Sequence, residues 1–160
     1  MNKKAIRIII IIICVLFFVG CLRTAILYVG NYIPNKDYFD DEYKQIIYPT
    51  SISDYITAKR ILKEADNALS TITNKGTAEK NFGELGFLCV TDDKAVTENH
   101  KLKFIAANFS GDSGYIWVKY SSEAYDKDGE VTFGAWDILS RWQIDKKDNK
   151  WVVASIKEHP

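Results

Sequence analysis

Apolar and polar positions divide this chain into three regimes. Residues 8–22 form an unbroken apolar run that, as a helix, would span only ~22 Å against a hydrocarbon core of ~30 Å. Continuing the helix through Ala25, Ile26, Leu27, Tyr28 and Val29 to Ile33 makes up the difference, with Pro34 as its stop. Arg23 can then snorkel to the headgroups, and Tyr28 and Tyr32 suit an interfacial belt. In the second regime, Tyr55, Ile56, Ile61, Leu62, Ala65, Ala68, Leu69 and Ile72 recur at three- and four-residue steps, with Lys59 as the one break. This predicts an amphipathic helix over residues 54–72, capped by Ser53 and covering a sheet. From residue 84 the period becomes two. Strands are predicted over 84–91 and 101–109, with a polar loop over 92–100 between them. Residues 115–157 then read as three strands joined by polar turns at 126–129 and 146–150, and they hold all four tryptophans.

Register follows from the need to place apolar residues on one face. A three-residue loop of Lys127, Asp128 and Gly129 sets Tyr120 opposite Trp136, Val118 opposite Ile138 and Ile116 opposite Ser140. A loop of Lys147, Asp148 and Asn149 pairs Ile144 with Val152, Trp142 with Ala154 and Ser140 with Ile156. That face is the expected core. Alternation sends Tyr115, Trp117, Lys119, Asp137, Leu139, Arg141, Trp151 and Val153 to the other face, with Arg141 against Tyr115 and Trp117 beside Leu139. Two tryptophans outside the core need a cover. Either Tyr38, Phe39, Tyr43 and Tyr48 fold over them, or Tyr115, Trp117, Leu139, Arg141 and Trp151 form a binding surface. In either case Trp117, Leu139 and Trp151 should lie together, opposite Trp136 and Trp142.

The resulting fold class is α+β: an N-terminal transmembrane helix, then one cone-like domain with a helix packed on a twisted antiparallel meander sheet. The expected divisions are 1–33 membrane anchor, 34–50 connector with a short helix around residues 38–45, and 51–160 extracytoplasmic domain. Charge adds orientation. The chain has 21 basic and 21 acidic residues, but Lys3, Lys4, Arg7 and Arg23 precede residue 35 and no acid does. The N-terminus is therefore expected in the cytoplasm and the C-terminal domain outside, with Asp37, Asp40, Asp41 and Glu42 following the far end. The outer domain is mildly acidic and lacks a basic stripe, which excludes nucleic acid as a partner. Cys14 and Cys21 lie in the apolar segment and Cys89 stands alone among Gly86, Phe87, Leu88 and Val90, so no disulfide forms within the domain and Cys89 is expected as a buried, inert thiol. Three readings of the apolar segment stay open: a retained helix, a cleaved signal peptide, and a lipoprotein signal in which Phe18, Val19 and Gly20 precede a lipid-modified Cys21.

Motifs of chemistry are sparse. Gly111-Asp112-Ser113-Gly114 matches the residues around a chymotrypsin-like nucleophile, but Tyr115 follows and the chain is too short for two barrels, so it reads as a turn. His100 and His159 lack a second strong ligand at helical or strand spacing, and no metal or cofactor is expected. The glycine of Asp126-Lys127-Asp128-Gly129-Glu130 comes two residues too early for a calcium-binding helix–loop–helix. Asn108-Phe109-Ser110 is a glycosylation sequon that falls in a strand.

A connector, a helix, a short strand and a long meander, with the run Gly134-Ala135-Trp136-Asp137-Ile138-Leu139-Ser140-Arg141-Trp142-Gln143-Ile144 followed by Lys150-Trp151-Val152-Val153, resemble the cystatin-like and nuclear-transport-factor-two-like α+β superfamily. The run is similar to the closing strands of small membrane- or lipid-anchored proteins of Gram-positive bacteria. The layout also resembles type IV secretion scaffolds, with a short leader, one helix and an outer domain. Enzymes on this fold place acids, tyrosines or histidines inside the cone, whereas the expected inner face here offers Tyr120 and Ser140. The function expected is therefore a membrane-anchored extracytoplasmic binding module with a protein or cell-envelope partner, and the second resemblance implies a scaffold component. The alternative is a cone that binds or transforms a small molecule.

Overall fold

A computed structural model describes residues 3–27, 29, 41–71, 82–89 and 94–159. They fall into two compact units, Met1–Pro49 and Thr50–Pro160. In the first, α1 (Lys3–Leu27) starts before the apolar run and carries it on through Arg23. Its apolar stretch Lys4–Ile26 covers 23 residues, none buried, and is long and apolar enough to cross a membrane. At 1.5 Å per residue it spans roughly 35 Å. Thr24 Oγ1 donates back to the Gly20 carbonyl at 3.0 Å, which satisfies the hydroxyl within the helix. Tyr28, Tyr32, Pro34, Tyr38 and Phe39 lie outside the described residues. The helix expected over residues 38–45 is seen as a 3-10 turn at Tyr43–Ile46, with Tyr43 and Ile46 buried and Tyr48 exposed.

The second unit opens with α2 (Ile52–Thr71). Its cap is Ser51, not Ser53: Ser51 Oγ accepts from the Asp54 amide at 3.1 Å. Ala58, Ile61, Leu62, Ala65 and Leu69 are buried, while Ile52 and Ile56 are 82% and 63% exposed. At 100° per residue the buried set centres on Ala58 and Ala65, nearly opposite Ile56, so Ile56 and Lys59 leave the predicted stripe and face outward. Ile72 lies outside the described residues.

Four strands, β1 (Thr97–Ser110), β2 (Ser113–Tyr125), β3 (Val131–Lys147) and β4 (Lys150–His159), form an antiparallel meander in the order β1-β2-β3-β4. The loop expected over 92–100 gives way at Thr97 to strand. The strand expected over 84–91 is a 3-10 helix, Glu84–Leu88. Leu85 and Leu88, three apart, fall on one side of it and are buried, a spacing that suits three residues per turn and not a pleat. Tyr55 meets Phe104 edge-on at 5.3 Å, and the Ala107 amide donates to Thr50 Oγ1 at 3.1 Å, so the first turn of α2 is pinned to β1. The core joins the inner side of α2 to Ile116, Val118, Tyr120, Trp142, Ile144 and Val153 of the sheet, with Leu85, Leu88 and the buried Cys89 closing one side.

The β2–β3 loop has the expected form. Asp126 faces Glu130, with the Asp126 amide donating to the Glu130 carbonyl at 3.0 Å, and Gly129 takes a φ of 81°. Beyond the loop the register departs from expectation by two residues, because β3 carries one bulge opposite Ala124–Tyr125 and another opposite Tyr120–Ser122. Tyr120 therefore faces Ile138, Val118 faces Ser140 and Ile116 faces Trp142. Two extra residues restore parity, so Ile138, Ser140, Trp142 and Ile144 keep the core face; Trp136, caught between the bulges, does not and is 57% exposed. The second hairpin is also corrected. Asp148 and Asn149 alone make the turn, at φ 50° and 62°, and Lys147 pairs with Lys150. Ile144 then meets Val153, Trp142 meets Ile156 and Ser140 meets Glu158, with a bulge between Gln143 and Ile144.

Candidate interaction surface

The face expected to bind a partner is taken apart by these registers. Trp117 is fully buried: it lies between Ala106 and Arg141 on the neighbouring strands, and its ring is 4.8 Å from that of His159. Tyr115, Leu139 and Arg141 are half-buried. The cation–aromatic contact exists, with Arg141 Cζ 4.8 Å from the Tyr115 ring centre, although Arg141 now pairs with Trp117 and reaches Tyr115 diagonally. Lys119 faces Leu139. Trp151 is on the core face, 5.2 Å from Phe109, because the two-residue turn shifts β4 and inverts its faces near the loop. Of the five candidate residues, Tyr115, Trp117, Leu139 and Arg141 stay together and Trp151 leaves.

A different apolar surface forms at the free end of the β2–β3 hairpin. Val131, opposite Tyr125 on the side that carries Trp136, is 53% exposed, and Phe133, opposite Ala124 on the other side of the sheet, is 44% exposed. The chain there is strained to aim the indole. Asp137 sits at φ 53°, a left-handed conformation costly for any residue with a Cβ, and its amide donates to Ser121 Oγ at 3.0 Å. The bulge turns Trp136 to the side of the sheet that carries Glu123, which is also the side of Trp117, so the two tryptophans share a face against expectation. Trp136 Nε1 donates to Glu123 Oε1 at 2.5 Å, and Tyr125 Oη donates to Glu123 Oε2 at 2.7 Å. The indole lies over Gly134, where a Cβ would collide with the far edge of its six-membered ring. Two donors hold the Glu123 carboxyl below the usual carboxylate range, the Trp136 indole being the stronger cause and the Tyr125 hydroxyl the next. Glu123 in turn raises the Tyr125 phenol. Residues 121–137 contain the acids Glu123, Asp126, Asp128, Glu130 and Asp137 against Lys127 alone. The result is an aromatic side chain fixed in water within an acidic rim.

Two buried polar links lie on the core face toward the same end. Ser122 Oγ is 2.9 Å from His100 Nδ1, and His100 Nε2 is 2.9 Å from Glu98 Oε2. With the ring proton on Nε2, Ser122 donates to the imidazole and the imidazole donates to the carboxylate, the polarity of a nucleophile relay. Ser122 is only 2% exposed, however, and its hydroxyl also faces the Leu88 carbonyl at 3.5 Å. The chain of bonds satisfies polar groups inside the sheet. Two residues along, Tyr120 Oη donates to Glu158, and burial first, then this carboxylate, pushes the phenol well above its usual value. Trp142 Nε1 donates to Ser140 Oγ at 3.0 Å and Ser140 donates to the Val118 carbonyl at 3.2 Å, so the indole and the hydroxyl are both satisfied. Among the described residues no group of three or more His, Cys, Asp or Glu side chains could hold a metal.

Gly134, Trp136 and Asp137 escaped detection as a unit because the alternating pattern runs straight through them. The one local signal is a glycine two residues before a tryptophan, followed by an aspartate, a residue type enriched among left-handed positions. In comparisons with known proteins, the chain matches no family model, no curated protein and no solved structure.

Proposed function

We propose that this chain is a membrane-anchored, extracytoplasmic interaction module of the cystatin-like kind, which presents the free end of its β2–β3 hairpin to a protein partner. Attachment is supported by α1, whose length and composition suit a bilayer, and orientation by Lys3, Lys4 and Arg7 ahead of it. Lipid modification at Cys21 would change the tether and not the side. The observation that carries the binding role is Trp136, held outward by Glu123 and seated on Gly134. A tryptophan with its rotamer already fixed loses little entropy on binding and is the side chain most enriched at binding hot spots. The acidic rim selects the partner's chemistry: an apolar pocket bordered by lysine or arginine.

The test is photo-cross-linking in cells, with the reactive amino acid at position 131 and, as control, at position 147. A discrete adduct from 131 that is absent from 147 and lost on Trp136→Ala is expected. Equal labelling from both positions, or an adduct indifferent to Trp136→Ala, overturns the binding role. A domain protected from protease in intact protoplasts overturns the orientation.

The Glu98–His100–Ser122 chain favours a second reading, an enzyme with Ser122 as nucleophile. Labelling by a fluorophosphonate that disappears in Ser122→Ala would establish it, and burial of the hydroxyl predicts no labelling.

A further inference from the structure

Along the outer meridian of α2, within about 60° of Ile56 on a helical projection, fall Ile52, Lys59, Arg60 and Lys63 and no acid. All five are exposed. The acids Glu64 and Asp66 flank this stripe at about 80° on either side, and Asp54 lies on the inner side. None of Lys59, Arg60 and Lys63 forms an ion pair among the described residues. Two isoleucines at the first turn followed by three cations are an unusual outer face for a helix whose inner face already fills the core. Such a face fits the boundary between acyl chains and anionic headgroups.

We infer that the outer face of α2 docks on the surface of an anionic phospholipid bilayer, Ile52 and Ile56 entering the headgroup boundary and Lys59, Arg60 and Lys63 meeting lipid phosphates. This rests on the membrane attachment proposed above. An anionic bilayer meets both parts of the face at once, acyl chains taking the two isoleucines and lipid phosphates the three cations. Some two dozen residues separate Leu27 from Ile52, at most ~80 Å when extended, so α2 is within reach of a bilayer that holds α1. The hairpin end is well separated from the first turn of α2. Phe104, which α2 touches through Tyr55, pairs with Val118, and Val118 lies seven residues before Tyr125, about 23 Å along β2. The first turn, with Ile52, can therefore rest on lipid while the hairpin remains free.

The experiment uses the full chain in lipid nanodiscs, either of phosphatidylcholine alone or with about a third phosphatidylglycerol. A coumarin amino acid is placed at position 56, or as control at 149, and quenching by headgroup-brominated lipid is compared with quenching by aqueous iodide. With phosphatidylglycerol, position 56 should gain at least twofold in bromolipid quenching and lose iodide quenching, while position 149 should change in neither. Lys59→Glu, Arg60→Glu and Lys63→Glu combined should abolish the shift without altering the near-ultraviolet circular dichroism that reports the fold. If the chain co-elutes with the discs and position 56 stays as iodide-accessible as 149, the docking is refuted and the anchor stands. If the chain does not enter discs at all, the anchor fails and the docking with it. Quenching that depends on protein concentration and not on lipid charge would assign the face to a second copy, against the inference.

Discussion

Trp136 and Glu123 are joined across the β2–β3 hairpin by a 2.5 Å hydrogen bond from the indole to a carboxylate that also accepts from Tyr125. Because the bonds favour the ionised form, they depress the folded-state value of Glu123, and their contribution is present above the ordinary glutamate value of about 4.3 and lost as pH falls through the depressed one. The Trp136 indole N–H resonance should therefore hold its shift on acidification through the ordinary glutamate range and move only below it. Glu123→Gln should leave that resonance flat. A midpoint at the ordinary value would show that the bond is not formed in solution.

Gly134→Ala should unseat the indole, since the new Cβ would occupy the place of the ring. The expected result is a changed tryptophan near-ultraviolet signal with stability altered by less than ~1 kcal/mol, because the ring is exposed and little packing is lost. Denaturant unfolding and circular dichroism on the same sample separate the two effects.

The two tryptophans that share a face should behave oppositely. Trp117→Ala removes a fully buried ring and should cost about 3–5 kcal/mol in denaturant unfolding. Trp136→Ala should cost under ~1 kcal/mol. Equal losses would mean that the bulge at Asp137 is absent and that Trp136 packs in the core.

Tyr120 should ionise well above the ordinary tyrosine range. Its raised phenol favours the neutral form, so its contribution is complete below the ordinary tyrosine value of about 10 and lost as pH rises through the raised one. Absorbance at 295 nm should show a late-titrating phenol that Tyr120→Phe removes. Because the ring of Tyr120 stays buried in Phe and its partner Glu158 is exposed, that substitution should cost only about 1 kcal/mol.

Asn149→Gly should stabilise the β3–β4 hairpin by a few tenths to ~1 kcal/mol, since Asn149 holds a left-handed φ of 62° that glycine adopts without strain. A fall in the thermal midpoint would show that the Asn149 side chain contributes more than its backbone costs.

By itself the sequence determined what depends on neighbours in the chain. A long apolar stretch specifies α1, the three- and four-residue period specifies α2, alternation specifies the strands of the meander, and Gly129 specifies the three-residue loop. Even the face of Ile138, Trp142 and Ile144 was legible, because burial demands it. What only the tertiary structure decided is where the strands slip. Two bulges in β3 move the pairing by two residues, and since side chains alternate with a period of two, the apolar pattern is the same before and after. That degeneracy hid the outward turn of Trp136. The turn at Asp148 and Asn149 was hidden for a related reason: the two-residue loop and the three-residue loop are both compatible with its polar residues, and the choice was made by Val153 and Trp151 finding the core rather than by the loop. The Glu98–His100–Ser122 chain joins residues of two strands, and its bonds exist only because β1 pairs with β2 in the register that sets His100 opposite Ser122. Register of this kind is a sum over the whole sheet, and the strain accepted at Asp137 is one of its terms.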